Sequence, residues 1–328
     1  MPHVRAIMHH EFANPAEVLT VEEIATPEPG PGQVRVRTVL ATIHNHDLMT
    51  ISGQYGFKPE LPARAGTEAV GVVDALGEGV DGLSLGQRVC SSGTFGVWAE
   101  YFIAPAAGLL PVPDGIPDEA AAQLVAMPMS AITLLDSVDV SRGDWLVQNA
   151  ANGAVGRLVA QLGAGRGLNI LGLVRRAAGV GELASQGIAR VVATDQPDWR
   201  DQVRALVGDA QIRVGIDSVG GPASGQLMSL LGEGGTLVNF GAMDSATVQV
   251  SSGDLIFKQC VVKGFWASKV IPALSGEHRQ RLIAELLTDL AAGTITLPVE
   301  HIYSFDDVRQ ASAANYYPGR VGKVLLRP

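Results

Sequence analysis

The chain of 328 residues has few cysteines, few aromatic side chains and no concentration of positive charge. Only two cysteines, Cys90 and Cys260, are present, which excludes a disulfide framework and any site built on several cysteines. Charged residues make up 17% of the chain and hydrophobic residues 47%, which excludes a largely disordered protein. Because the formal net charge is −9, neither nucleic acid nor an anionic membrane is an expected partner.

Targeting and membrane-spanning segments are also missing from the sequence. The opening residues MPHVRAIMHH contain no charged leader followed by an apolar core, so no secretory signal is predicted and a cytoplasmic location is expected. The most apolar segment, residues 120–138, is interrupted by Gln123, Pro128 and Ser130. It is therefore predicted to be a buried helix rather than a membrane span.

The hydrophobic pattern changes along the chain. Residues 1–110 are predicted to be strands joined by turns, with β-branched runs such as VRVRTVL (34–40). From Trp145 onward, short apolar runs alternate with segments of helical spacing; these runs are WLVQNA (145–150), NILGLV (169–174), RVVAT (190–194), VGIDSV (214–219), TLVNFG (236–241) and VVKGFW (261–266). This alternation predicts a parallel, doubly wound α/β sheet with helices on both faces, followed by a helix (277–293) and a closing strand.

A glycine pattern follows the first of these runs. In QNAANGAVGR, the spacing Ala151-x-Gly153-x-x-Gly156 matches the dinucleotide fingerprint, with alanine at the first glycine position. Such a loop requires a tight turn, close approach of the backbone to a pyrophosphate, and a helix N-terminus directed at it. Its place between a strand and a helix predicts a dinucleotide site, and a purely structural turn is the alternative.

The end of the second run indicates which dinucleotide is bound. An acidic residue at this point would accept hydrogen bonds from the ribose hydroxyls of NAD. The sequence instead has Arg175 and Arg176, and a guanidinium suits a 2′-phosphate through paired charge-assisted hydrogen bonds. The sequence therefore favours NADPH, with solvated surface arginines as the alternative.

Together, these features resemble the medium-chain dehydrogenase/reductase superfamily over nearly the whole chain. The resemblance implies a mixed, mainly β GroES-like catalytic domain at residues 1–122 and 268–328, and a Rossmann domain at residues 123–267. It also implies a homodimer formed through the last strand of the cofactor domain.

The zinc alcohol dehydrogenases of that superfamily bind catalytic zinc with Cys, His and Cys. The resemblance places these positions at His44, Thr67 and Met129, and neither threonine nor methionine is an expected zinc ligand. A site could still form from His44, His46, Asp47 or Glu68 if the segment is extended, because the two histidines would then share one face. We predict no functional metal.

Several motifs are similar to the 2-enoyl thioester reductases of the mitochondrial type. They are SGQYGFKPELP (52–62), QNAANGAVG (148–156), NFGAM (239–243) and DLIFKQCVVKGFWASK (254–269). Zinc-free quinone oxidoreductases are near relatives that share the glycine loop. The loop departs from the reductase pattern, because its glycine at Gly153 comes one position early, and the mitochondrial leader is absent.

The resemblance implies a set of site residues. The proton donor would be Tyr55, because a phenol remains protonated at neutral pH, and packing on the surface is the alternative role. Cofactor contacts are implied for Asn152, Gly153, Ala154, Val155, Gly156, Arg175, Arg176, Phe240, Gly241, Ala242, Met243, Phe265, Trp266, Ala267 and Lys323. For Phe265 and Trp266, core or dimer packing is the alternative.

Three functions are compatible with the sequence. The first is an NADPH-dependent reductase of activated C=C bonds, above all of 2-enoyl thioesters, with hydride transfer to the β-carbon and proton delivery near Tyr55. The second is an NADPH:quinone oxidoreductase that acts on a small-molecule quinone. The third is a structural or regulatory protein that binds NADPH without turnover.

Overall fold

The computed structural model describes residues 2–328, which form two compact units. Unit 1 consists of the described residues up to Ala126 together with Leu297–Pro328, and unit 2 is Met127–Thr296. A mainly β unit and a unit built on a parallel sheet confirm the predicted α/β class.

In chain order the strands are β1 (His3–His9), β2 (Thr20–Ala25), β3 (Gln33–Thr42), β4 (Ala63–Arg64), β5 (Glu68–Leu76), β6 (Arg88–Ser92), β7 (Tyr101–Pro105), β8 (Leu109–Pro111), β9 (Trp145–Gln148), β10 (Asn169–Val174), β11 (Val191–Ala193), β12 (Ile212–Asp217), β13 (Leu231–Asn239), β14 (Val261–Gly264), β15 (Val299–Ser304) and β16 (Lys323–Arg327). The α-helices are α1 (Pro15–Val18), α2 (Asn45–Ile51), α3 (Asp118–Ala121), α4 (Ala126–Asp136), α5 (Ala154–Gly165), α6 (Ala178–Ala184), α7 (Trp199–Val207), α8 (Pro222–Leu230), α9 (Ser252–Phe257), α10 (Ala267–Ala273), α11 (Gly276–Ala291) and α12 (Val308–Ala314).

Unit 1 is built on a seven-stranded mixed sheet. Its strands lie in the order β15-β16-β3-β5-β6-β8, with β7 also pairing with β3, and a separate three-stranded sheet has the order β2-β1-β4. Val34 and Val36 on β3 are fully buried while Arg35 between them is not, since alternate residues of a strand face opposite sides. The fold thereby places β16 directly beside β3 in the middle of the sheet.

A short helix replaces an extended segment after β3. The chain leaves β3 at Thr42, and α2 begins at Asn45 with His44 as its N-cap residue. The Asp47 carboxylate accepts the backbone N–H of His44 at 2.8 Å and so stabilises this first turn. The alternative in which His44 and His46 share one face of an extended segment is therefore wrong.

Unit 2 has the predicted doubly wound architecture. Its six strands are all parallel and lie in the order β11-β10-β9-β12-β13-β14, and helices α5, α6, α7, α8 and α9 form the crossovers. On α5, Leu158, Val159 and Leu162 are buried as their helical spacing predicts, and Val155 is half-buried. The central strands are covered on both faces, which explains their almost continuous apolar sequence.

The chain returns to unit 1 at Leu297, later than the boundary at residue 268 expected from the sequence. The reason is that α11 is tied to other helices of unit 2. Glu285 pairs with Arg166 at the end of α5 at 2.8 Å, and His278 lies 2.6 Å from the Asp136 carboxylate at the end of α4.

The apolar segment at residues 120–138 contains the end of α3 and all of α4. The side chains from Pro128 to Leu135 on α4 are buried, as predicted for this segment. Across residues 2–328, no helix combines the length and the apolar character needed to span a membrane.

Candidate functional site

The glycine loop of unit 2 connects β9 to α5. Ala150 has a φ of 47°, and Gly153 is the N-cap residue of α5. A Cβ atom on Gly156 would lie 2.8 Å from the Ala150 carbonyl oxygen and from the Ala151 Cα atom, so only glycine lets α5 approach the loop this closely. Within the described residues no side chain caps the start of α5, so its first N–H groups are available to an anion such as a pyrophosphate.

The alanine at the first fingerprint position is accommodated by the neighbouring strand. A Cβ atom on Gly172 of β10 would lie only 2.8 Å from the Ala151 Cβ atom, which is itself buried. The Ala151 methyl group fits at this position because residue 172 on the neighbouring strand is a glycine and has no side chain. This explains how the loop closes without its first glycine.

Sequence reasoning missed a buried carboxylate beneath the loop. Asp217 at the end of β12 is fully buried and accepts hydrogen bonds from Asn149 at 2.7 Å, Ser224 at 2.5 Å and Asn239 at 3.2 Å. Burial raises the Asp217 pKa, but the hydrogen bonds from Ser224, Asn149 and the following backbone N–H groups outweigh it, so the pKa is lowered overall. This ionised carboxylate links the ends of β9, β12 and β13. In the sequence, the buried carboxylate was indicated only by an acidic residue at the end of the otherwise apolar run VGIDSV.

Arg175 and Arg176 follow directly after β10 and are both exposed. Neither guanidinium has an ion-pair partner in the described part of the chain, and the Asp195 carboxylate nearby accepts the backbone N–H of Ala177 at 3.4 Å. Both arginines therefore remain available to an anionic group at this edge of the sheet.

The remaining predicted residues of unit 2 lie at the same edge. Those after β13 are Phe240, Gly241, Ala242 and Met243, and those after β14 are Phe265, Trp266 and Ala267. The Phe240 and Phe265 rings are 6.0 Å apart, with Phe265 buried and Trp266 40% exposed. Since parallel strands all end at one edge, the structure brings the predicted cofactor residues of unit 2 together, while their roles stay predictions.

Unit 1 contains a second polar centre that is almost completely buried. The Lys323 ammonium donates to His44 Nδ1 at 3.1 Å, and His44 Nε2 donates to the Glu68 carboxylate at 2.7 Å. The other Glu68 oxygen accepts the backbone N–H groups of Val125 and Ala126 at 2.6 and 2.9 Å. Lys323, predicted to reach a cofactor, is thus held inside unit 1 by His44.

Burial dominates the electrostatics of this centre. It raises the pKa of Glu68 to about 7 and lowers the pKa of Lys323 to about 8, although each is partly opposed by the charge of the other. The pKa of His44 is lowered well below its ordinary value by burial and by the Lys323 charge. His44 is therefore neutral, which matches its one donor and one acceptor nitrogen.

These residues do not fit a zinc ion. Zinc binds histidine through a free nitrogen lone pair, and both nitrogens of His44 are already engaged, one by an ammonium and one by a carboxylate. The Thr67 hydroxyl donates to Asp47 at 2.6 Å rather than facing an open position. Among residues 2–328, no group of three or more histidine, cysteine, aspartate or glutamate side chains is arranged to hold a metal.

Tyr55 lies close to this centre at its more exposed side. The residue is half-buried, its backbone N–H donates to the Met49 carbonyl at 3.1 Å, and its ring is 5.8 Å from the His46 ring. The His46 ring in turn stacks on His44, with ring centroids 4.9 Å apart. Tyr55 is therefore held at both its backbone and its ring in a loop within unit 1.

Comparisons with known proteins find similarity in both units of the chain. The family model for the alcohol dehydrogenase GroES-like domain matches residues 30–114, and that for zinc-binding dehydrogenases matches residues 154–286. The chain is 32% identical to the human mitochondrial enoyl-[acyl-carrier-protein] reductase, covering 98% of this chain and 88% of that protein.

Solved structures show the same architecture. A protein from Bacillus thuringiensis assigned as an NADPH:quinone reductase matches with a TM-score of 0.91 and 28% identity over 100% of both chains. The Escherichia coli quinone oxidoreductase complexed with NADPH matches with a TM-score of 0.89 and 25% identity, covering 99% of this chain and 100% of that chain. The chain belongs to the medium-chain dehydrogenase/reductase superfamily of oxidoreductases, as its sequence predicts.

Proposed function

We propose that the protein is an NADPH-dependent reductase of activated C=C bonds, with 2-enoyl thioesters as its substrates. The observation that carries this proposal is the 32% identity to the human mitochondrial enoyl reductase across 98% of the chain. Relatives of the same description from rat and cattle are 31% and 32% identical over similar lengths. The similarity thus includes both units rather than the nucleotide fold alone.

The carboxyl edge of the unit 2 sheet fits such a cofactor. The uncapped start of α5, from Gly153 to Gly156, would hold the pyrophosphate, and Arg175 and Arg176 would pair with the 2′-phosphate. Residues 240–243 and 265–267 would contact the nicotinamide half. When bound, NADPH supplies the hydride that the β-carbon of an enoyl thioester requires.

Tyr55 would supply the matching proton to the α-carbon. Its hydroxyl is carried on a loop fixed by the Met49 carbonyl and by the His46 ring, so the phenol is held in place rather than free in solvent. A fixed acid beside the reacting carbon is what general-acid catalysis requires.

A second candidate is reduction of quinones. The observation that favours it is the structural match to proteins described as quinone reductases at TM-scores of 0.91 and 0.89. A quinone needs no proton on carbon, because its oxygens take protons from solvent after hydride transfer. This reaction therefore places no demand on Tyr55.

The two candidates are separated by measuring NADPH-dependent turnover of a crotonyl thioester and of 1,4-quinones by the parent protein and by Tyr55→Phe. We expect the substitution to lower kcat on the thioester by roughly 10²–10⁴-fold, with quinone reduction much less affected. Thioester reduction that is equally fast without the hydroxyl would show that Tyr55 only packs. Quinone turnover without thioester turnover by the parent would favour the second candidate, and turnover of neither would favour a binding protein without catalysis.

A further inference from the structure

The hydrogen bonds around His46 define which of its nitrogens carries a proton. The Thr67 hydroxyl has a single proton, and it is donated to the buried Asp47 carboxylate at 2.6 Å. His46 Nε2 lies 2.8 Å from the same hydroxyl oxygen, so Nε2 must donate and the oxygen must accept. In the neutral ring, Nδ1 is then left with the lone pair, and His46 has one defined tautomer.

The residues that hold His46 in this series of hydrogen bonds are themselves held in place. Asp47 is 2% exposed, and its second oxygen accepts the His44 backbone N–H at 2.8 Å. The His46 ring also packs on His44 with an interplanar angle of 13°, and His44 is held at both nitrogens by Lys323 and Glu68. His46 is therefore restrained at its edge by Thr67 and on its face by His44.

The His46 ring also lies near the proposed acid. Its ring centroid is 5.8 Å from that of Tyr55, with the planes inclined by 34°, and its side chain is 25% exposed while Asp47 and His44 are buried. His46 thus has ring contacts both with His44 of the buried polar centre and with Tyr55. A side chain needed only for packing at this position would not require a defined tautomer.

We propose that His46 is a positioning residue for Tyr55. The chain Asp47–Thr67–His46 keeps the Nε2–H tautomer, and Nδ1 accepts a hydrogen bond from the Tyr55 hydroxyl directly or through one water. The phenol is thereby directed toward the α-carbon of the substrate. After Tyr55 transfers its O–H proton to that carbon, the phenolate is reprotonated from water. This inference rests on the proposed reduction of enoyl thioesters.

Two substitutions separate positioning from packing. His46→Phe keeps an aromatic ring on His44 and beside Tyr55 but has no nitrogen, while Thr67→Val removes the hydroxyl that fixes the tautomer and Thr67→Ser retains it. We expect His46→Phe and Thr67→Val each to lower kcat on a crotonyl thioester by about 10- to 100-fold, with KM for NADPH changed by less than about 2-fold. Thr67→Ser should restore most of the activity that Thr67→Val loses. Unchanged kcat in His46→Phe would overturn the proposal.

A double-mutant cycle shows whether His46 acts through Tyr55. In the Tyr55→Phe background, His46→Phe should cause little further loss of kcat, because the group that it positions is already gone. Losses that multiply, as for independent residues, would contradict the proposal.

The tautomer can be measured without turnover. In protein labelled with ¹⁵N-histidine, His46 should show the chemical shifts of an Nε2–H imidazole in the parent and in Thr67→Ser, and an altered pattern in Thr67→Val. Identical shifts in all three would overturn the tautomer assignment. If the parent reduces no enoyl thioester, the proposed function fails, whereas this measurement still decides the hydrogen-bond chain.

Discussion

A buried ammonium holds together the part of unit 1 where the resemblance to zinc alcohol dehydrogenases places a metal ligand. Lys323 donates to His44, and His44 donates to Glu68, so one positive and one negative group are joined through a neutral ring. Each polar atom in this series has a partner, which is the condition under which buried charges are tolerated. The centre is thus organised by a side chain of the protein itself.

We therefore expect protein purified without chelator to contain no stoichiometric metal, because His44 has no free nitrogen to offer. Elemental analysis measures this directly. One zinc per chain that is lost together with activity on adding a chelator would contradict it.

The raised pKa of Glu68 makes stability depend on pH. Its pKa is about 7 in the folded protein against an ordinary value of 4.5, so the native state binds this proton more tightly than the unfolded chain does. The contribution of Glu68 to the free energy of unfolding is therefore fully present below about pH 4.5 and is lost as the pH rises through 7. We expect Glu68→Gln to remove this part of the pH dependence in urea denaturation between pH 5 and pH 7.5.

The matched control is Glu78→Gln, because Glu78 is an exposed carboxylate of the same unit. Its pH profile should follow that of the parent. If Glu68→Gln keeps the parent profile as well, the proton is not held by Glu68.

We also expect single residues to set the cofactor preference. Because Arg175 and Arg176 are exposed and have no ion-pair partner in the described chain, we expect NADPH to be favoured over NADH by at least ~10-fold in kcat/KM, or about 1.4 kcal/mol. Arg175→Ala should remove most of this preference and leave NADH kinetics nearly unchanged. Arg190→Ala makes the same charge change where the guanidinium stacks on Trp145, and it should preserve the preference. Equal use of both cofactors by the parent would contradict the assignment.

At the scale of elements, the contact between the glycine loop and β10 depends on one missing methyl group. Gly172→Ala would bring two Cβ atoms to 2.8 Å, and both are fixed to backbone, so we expect a loss of roughly 1–3 kcal/mol in the free energy of unfolding. Ala151→Gly in the same chain should recover most of that loss, because it removes the opposing methyl group. Thermal or urea unfolding of the parent, both single variants and the double variant measures the coupling. Additive effects would show that the two positions do not compensate.

Elements whose partners are near in sequence were predictable. The central strands of unit 2 are buried on both faces and read as short apolar runs, so the alternation of strands and crossovers along the chain followed from the pattern alone. The placement of α11 was not predictable, because it depends on ion pairs such as that between Arg166 and Glu285, 119 residues apart. The helix after β3 was missed for a related reason. It depends on the hydrogen bond from the His44 backbone N–H to the Asp47 carboxylate, and the pattern of apolar residues does not reveal a polar contact of this kind.

In the candidate site, too, local features could be predicted from the sequence and contacts between distant residues could not. The turn from strand to helix at Gly153 and Gly156 could be predicted because the fingerprint is local, while the contacts of these residues with a cofactor stay a prediction. The environment of His44 could not, because Lys323 lies 279 residues away in sequence and Glu68 comes from another strand. The hydrogen bonds at Asp217 also join residues from separate strands, and nothing in the sequence around these polar residues shows that the folded sheet brings them together.

At the scale of the whole molecule, β14 forms an edge of the unit 2 sheet that no other strand of residues 2–328 covers. Within these residues β14 pairs only with β13, and the exposed apolar residues in and before it include Phe257 at 82% and Val261 at 52%. An apolar strand edge of this kind favours association. We keep the prediction of a homodimer through this strand.

Sedimentation at micromolar concentration tests the dimer. Val261→Lys together with Phe257→Asp should shift the protein toward monomer, because both place charge on the apolar edge. Leu85→Lys is the control, since Leu85 is 65% exposed but belongs to unit 1. A monomeric parent, or a dimer unaffected by the double substitution, would show that β14 is not the interface.

The position of β16 between β15 and β3 has a consequence for how the protein is made. During translation, β3 emerges early, yet the strand that pairs with its Ala41 and Thr42 is not synthesised until residues 323–327. At ~5–20 residues per second, roughly 15 to 60 seconds separate the two strands. All of unit 2 leaves the ribosome within that interval and has its complete set of strands first. Until residues 323–327 are made, the nascent chain therefore carries an unfinished sheet edge and a His44 without its ammonium.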